Sequence, residues 1–160
     1  MENLNNIGLD KSKSEELAKK LNILLANYSI FYQNTRGYHW NVKGHKFFEL
    51  HLKFEELYTD AHIKIDLIAE RVLTVGGTPL HTFEDYINNN QLVVGKNISN
   101  DEKAVHLIVT SLSHLLKIER EILKKAGEIN DEGTNSMMSD FISEQEKTIW
   151  MMQAWLEESL

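Results

Sequence analysis

Four stretches carry apolar residues at helical spacing, and the connections between them run short, long, short; this constrains the chain more than any other feature. From about Lys13 to His39, a stripe runs through Leu17, Leu21, Leu24, Leu25, Tyr28, Phe31 and Tyr32. From about Lys46 to Leu73, Phe47, Leu50, Phe54, Leu57, Tyr58, Ala61, Ile65, Ile68 and Val72 continue the pattern. A third helix is expected from near Ser99 or Asn100 to about Ala126, and a fourth from about Asn135 to Glu157. Ser12 with Glu15, and Ser99 with Glu102, have capping-box spacing. The segments "NVKGHK" and "GEINDEGTN" are tight turns, with Gly44 as the cap or turn residue of the first. The middle connection contains a short helical candidate, "TFEDYI". Two hairpins joined by one crossover predict an all-α four-helix bundle with a short helix in the long crossover between the second and third helices. An up-down bundle with a ragged second loop is the other arrangement the pattern allows. Residues 1–12 read as a flexible tail ahead of a single domain over 13–160.

The 160 residues include no cysteine, which removes disulfides, thiol catalysis and zinc-thiolate sites. The polar start, "MENLNNIGLDKSKSEE", lacks the apolar segment of a signal peptide, and no apolar run is long enough to span a membrane, so a cytoplasmic protein is expected. A formal net charge of −7 disfavours general binding to phosphate backbones and suits cations.

The second helix concentrates residue types that bind metals. With His51 set at zero angle, Glu55 falls near ~40°, His62 near ~20°, Asp66 near ~60° and Glu70 near ~100°. The main apolar stripe is centred near ~−80°, so the candidate ligands do not face the chain's own core. Phe48, Leu52 and Ile63 lie beside the ligand stripe, and a helix with a second partly apolar face needs a second partner. His51 and Asp66 are separated by roughly 22 Å of helix and cannot share one ion within a chain. Two copies packed antiparallel about a two-fold axis near Asp60 and Ala61 bring His51 to the partner's Glu70 and Glu55 to the partner's Asp66 in a single register. A reversal near Gly44 brings His39 to the height of His51. Two histidines and three carboxylates suit iron, manganese or zinc. The chain has no Glu-x-x-His, the motif of di-iron centres held inside one bundle, which leaves the subunit interface as the better location.

The segments "YHWNVKG", "FFELHLKFEELY" and "DLIAERVLTVGGTP", with "TIWMMQAWL" near the end, resemble the Dps mini-ferritins over nearly the whole chain. The resemblance implies a ferritin-like bundle and a hollow homo-dodecamer with ferroxidase sites at its two-fold interfaces. One subunit would give His39, His51 and Glu55, and its partner Asp66 and Glu70. Iron(II) would be oxidised there with hydrogen peroxide, and the ferric product stored as mineral inside; zinc is a substitute at the same site. Trp40 matches the tryptophan that follows the first histidine, either packing beside the metal or taking up stray oxidising equivalents. Asp131, Glu132 and Asp140 fall in the region that lines the family's three-fold pores. Some members bind DNA through a lysine-rich tail. Here Lys11 and Lys13 stand beside Glu2 and Asp10, so DNA binding is expected to be weak or absent. The competing reading is a DNA-binding, nucleoid-protecting shell with little turnover; a zinc-holding shell without turnover is a third. His62 reads as an interface residue or an auxiliary site. His45, His81, His106 and His114 lack a partner pattern.

Overall fold

The computed structural model describes residues 3–158. Among them it has five α-helices: α1 (Lys11–Asn41), α2 (Phe47–Thr74), α3 (Phe83–Asn88), α4 (Asp101–Glu128) and α5 (Glu132–Glu158). The long helices form two antiparallel hairpins, α1 with α2 and α4 with α5, and α1 packs on α4. Two ion pairs join α2 to α5 and to the residue just before it: Lys64 to Glu144 at 2.7 Å and Arg71 to Asp131 at 2.5 Å. The short helix lies in the crossover against α1. This is the bundle with a long second connection that the spacing predicted.

Three helix starts differ from expectation, each for a capping reason. Asp10, not Ser12, caps α1, its carboxylate accepting from the Lys13 amide at 2.9 Å. Asn100, not Ser99, caps α4 by accepting from the Lys103 amide at 2.8 Å. The last helix begins three residues early because Asp131 accepts from the Thr134 amide at 3.0 Å. Of the segment expected as a tail, residues 1 and 2 lie outside the described residues, and residues 3–10 form a hydrogen-bonded turn. Asn5 accepts from the amides of Ile7 and Leu9 and donates to Ser14 Oγ and to the Val75 carbonyl, which ties the turn to the end of α2.

The crossover is docked by three asparagines of α1 that use one repeated geometry. Each side chain donates to the carbonyl of one crossover residue and accepts from the amide two residues on. Asn22 takes Thr78 and Leu80, Asn27 takes Asn89 and Gln91, and Asn34 takes Val93 and Gly95. The amide side chain thus replaces the neighbouring strand that an extended segment would otherwise need to pair its backbone. Gly95 sits where the Tyr38 phenol crosses, and a Cβ there would collide with the ring.

Leu17, Leu21, Leu24, Phe54, Ile68, Ile108, Leu115 and Ile122 are fully buried between the four helices. Polar groups interrupt this core. Glu119, on α4, is fully buried; Tyr28 Oη donates to it at 3.1 Å and Gln145 Nε2 donates to both its oxygens at 2.7 and 3.0 Å. Burial pushes its carboxyl up to about 7, against the opposing hydrogen bonds from Gln145 and Tyr28 and the charge of Lys64. On α2 the buried face carries Leu50, Phe54, Ala61, Ile68 and Val72, while Phe48 (80% exposed), Leu52, Ile63 and Leu67 lie uncovered on the other side. That is the second apolar face expected from the angular pattern. No helix among the described residues is long and apolar enough to cross a membrane.

Candidate metal centre

Gly44 has φ +121°, a backbone region open chiefly to glycine, and it sits in the turn that reverses the chain between α1 and α2. That reversal sets the last turn of α1 beside the first turns of α2. His39 and His51 then stack face to face, with ring centroids 3.8 Å apart and planes 13° from parallel. Their backbones hold each other's side chains. His39 Nδ1 lies 2.6 Å from the His51 carbonyl, and His51 Nδ1 lies 2.8 Å from the His39 carbonyl. A carbonyl only accepts, so each Nδ1 carries its proton and donates. In the neutral rings this leaves both Nε2 lone pairs free for a cation, the arrangement in which a backbone carbonyl fixes the tautomer of a metal-binding histidine. The pair is braced on both sides: Phe47 stacks on His51 at 4.9 Å, and Tyr58 meets His39 edge-on at 5.3 Å. His39 is buried and His51 half-buried.

Glu55 follows His51 by one turn on the same helix and is exposed. The structure does not bring Asp66 and Glu70 to the histidines. Both are exposed on α2, roughly 22 and 28 Å of helix beyond His51. Among the described residues of one chain, no three His, Asp or Glu side chains gather closely enough to hold an ion. A single chain therefore presents two separate groups: a histidine pair with a carboxylate one helical turn on, and a separate pair of carboxylates. Imidazole and carboxylate donors are of the types that suit iron, manganese or zinc.

Around the pair, the structure adds residues that sequence reasoning missed. Tyr58 was counted as a stripe residue, yet it contacts His39 and also Tyr32, at 5.9 Å. Its position, seven after His51 and so on nearly the same helix face, was the available signal. Trp40 is 57% exposed, with the Arg36 guanidinium 4.9 Å from its ring. His62 is exposed and lies beside the Tyr32 ring at 5.7 Å. The acidic trio at the start of α5 divides. Asp131 is buried, paired with Arg71 and bonded to Thr134, so it is a helix cap and ion-pair partner rather than an open cation ligand. Glu132 and Asp140 are exposed.

Comparison with known proteins gives this architecture a family. A family model for the ferritin-like domain matches residues 18–159. A DNA protection during starvation protein from Porphyromonas gingivalis is 36% identical over 148 residues, covering 92% of this chain and 93% of its own. An uncharacterised protein of Haemophilus influenzae is 50% identical, covering 92% of both chains. A crystal structure of a Dps protein from Vibrio cholerae O1, described as a member of a broad superfamily of ferritin-like diiron-carboxylate proteins, superposes with a TM-score of 0.95 at 51% identity, over 98% of each chain. A Dps crystal structure from Bacillus brevis gives 0.88 at 34% identity, over 91% of this chain and 97% of that one. With a family model covering most of its length and relatives aligned almost end to end, the chain belongs to the Dps family of ferritin-like proteins.

Proposed function

We propose that this protein is a ferroxidase that takes up iron(II), oxidises it with hydrogen peroxide at sites shared between two-fold-related subunits, and stores the ferric product inside a cytoplasmic homo-dodecameric shell. One observation carries the reading: the histidine pair is locked with both Nε2 atoms free, yet one chain supplies too few ligands to complete a site. In the shared site, His39, His51 and Glu55 of one subunit face Asp66 and Glu70 of another. The uncovered apolar row Phe48, Leu52, Ile63 and Leu67 on the same helix supports this packing, since exposed apolar area of this kind is what a subunit contact buries.

The chemistry follows from the electron count. Each iron(II) gives one electron and peroxide accepts two, so two ions and two protons convert one peroxide to two waters. The carboxylates neutralise the incoming cations and favour the trivalent product over the divalent substrate. The neutral imidazoles hold the ions without adding charge.

The charges of the bundle are segregated in a way that supports storage. Helices α2 and α5 carry four Lys or Arg against twelve Asp or Glu, whereas α1 and α4 carry ten against seven. Because α1 lies beside α4 and α2 beside α5, the bundle has one strongly acidic side and one mildly basic side. A shell that concentrates cations turns the acidic side inward. The same segregation favours a second reading, the DNA-binding shell, more than net charge does, because the outward side then has a cationic excess. Retention of linear DNA by the shell in a low-salt gel shift would support that reading, and free DNA would count against it.

Mixed assembly tests the shared site. Shells of His39→Ala alone or Asp66→Ala alone should both lose fast iron oxidation. Shells co-assembled from equal amounts of the two should regain about a quarter of the sites, because half of the two-fold pairs are mixed and each mixed pair keeps one intact site. Mixed shells as inactive as either parent would mean that both residues must come from one chain.

A further inference from the structure

Between the histidine pair and the distal carboxylates of α2 stands one more imidazole. His62 is exposed, and neither of its ring nitrogens has a hydrogen-bond partner among the described residues. The Tyr32 ring lies against it at 5.7 Å, tilted by 35°, and walls the imidazole on the α1 side. The stripe of α2 that runs from Phe48 to Leu73 through Glu55, His62 and Asp66 contains no lysine or arginine. The basic residues of this helix are held elsewhere. Lys53 pairs with Glu56, Lys64 is buried against Asp60 and Glu144, and Arg71 pairs with Asp131.

The register that sets His51 at the height of the partner's Glu70 also sets Phe48 at the height of the partner's Leu73. Phe48 is 80% exposed and Leu73 59%, so apolar meets apolar at the ends of the contact. At its centre, His62 and the partner's His62 straddle the two-fold axis, separated along the helices by about 4.5 Å. Helices in contact run about 8–10 Å apart, so two imidazoles reaching inward meet on the axis. Thr59 lies level with the partner's His62, and its hydroxyl accepts hydrogen bonds. Glu55 and the partner's Asp66 lie about 8 Å along the helices from the axis, and the same pair recurs on its other side. The centre of the contact is an imidazole pair in the field of these carboxylates, and that field favours a cation.

We propose that His62 and the partner's His62 bind one divalent transition-metal ion of the zinc class on the two-fold axis, midway between the two shared sites and belonging to neither. The proposal rests on the shared-site reading, because one register places both the sites and the two imidazoles. Imidazole suits zinc, copper and nickel. Each neutral ring offers one lone pair to the ion. Its other nitrogen is protonated and donates to the threonine hydroxyl opposite, the kind of outer partner that fixes a ligand's tautomer. Water fills the remaining positions, since the nearest carboxylates of the stripe are more than a turn from the axis. Without an ion, two neutral imidazoles share at most one hydrogen bond, and once both are protonated they repel. The ion therefore ties the two subunits together.

The test measures zinc bound to assembled shells by equilibrium dialysis at neutral pH, comparing wild type with His62→Gln. Zinc at the shared sites is common to both proteins and cancels in the difference. Wild type should hold about half an ion more per subunit, because one ion serves two subunits. His62 is exposed, so the substitution leaves the bundle core untouched, and a sizing column verifies the shells. Equal zinc in the two proteins would overturn the proposal. So would a difference of about one ion per subunit, which would mean that each His62 binds alone. Recovered iron oxidation in the mixed His39→Ala and Asp66→Ala shells, together with equal zinc in wild type and His62→Gln, would remove the axial ion and leave the shared site standing. Inactive mixed shells would overturn the register, and both readings with it.

Discussion

Replacing Glu119 by glutamine should remove a pH dependence that the wild-type bundle carries in its core. Glu119 is fully buried, and its carboxyl is raised from 4.5 to about 7, first by burial; the hydrogen bonds from Gln145 and Tyr28 and the charge of Lys64 oppose this and do not overcome it. In the unfolded chain the same carboxyl ionises at its ordinary value. Below that value both states are protonated and the group has no effect on the balance. Between 4.5 and about 7 the unfolded state releases its proton while the folded state keeps it, so stability falls as pH rises. Above about 7 both states are ionised and the loss is complete. A shift of this size corresponds to about 3 kcal/mol over the window, at 1.36 kcal/mol per pH unit of difference. Glutamine has nearly the same shape, still accepts from Tyr28, and does not titrate. Denaturant unfolding of assembled shells, followed by circular dichroism at one protein concentration from pH 5 to 8.5, gives both profiles. The difference between wild type and Glu119→Gln should grow by about 3 kcal/mol in favour of the variant toward alkaline pH. The histidines and surface carboxylates titrate alike in both proteins and cancel in the difference. Parallel profiles would refute the reasoning and mean that the buried carboxyl ionises as it does in water.

Removing the Asn27 amide by Asn27→Ala orphans the Asn89 carbonyl and the Gln91 amide, and should cost about 3 kcal/mol in the same unfolding assay. Gly95→Ala drives a methyl group into the Tyr38 phenol and should cost roughly 1–3 kcal/mol, with loss of amide exchange protection centred on residues 93–95. Arg71→Met leaves Asp131 buried and unpaired, and should destabilise by about 3 kcal/mol or more; adding Asp131→Asn should return part of the loss, read by thermal unfolding.

The helices were legible because their apolar periods are long and uninterrupted, and the crossover was legible as the one connection too long for a turn. Helix ends were less so. Ser12 and Asp10 both qualify as caps, as do Ser99 and Asn100, and only the folded backbone decides which side chain reaches an open amide. The histidine pair could be inferred from Gly44 and from similar distances, five and seven residues, along two antiparallel helices. The mutual carbonyl bonds that fix the imidazoles could not, because they depend on the depth at which the two backbones approach. Glu119 stood in an apolar stripe, at Leu112, Leu115, Glu119, Ile122 and Ala126, and that anomaly was visible. Its partners Tyr28 and Gln145 lie on other helices at separations of 91 and 26 residues, beyond any local pattern. Asn22, Asn27 and Asn34 look like ordinary polar positions of a helix, and their shared task appears only when the crossover lies beside them.

Those three asparagines also determine where the chain can lengthen. Each anchor is complete in itself, holding one carbonyl and one amide two residues apart, and none depends on the spacing to the next. The interval between the Leu80 and Asn89 contacts holds only α3, which has no buried residue. New sequence inserted there need not disturb the path on either side, and the entropy of closing a longer loop rises only with the logarithm of its length. The crossover is therefore the natural place for relatives to diverge in length, and for a peptide to be displayed on this bundle without rebuilding it.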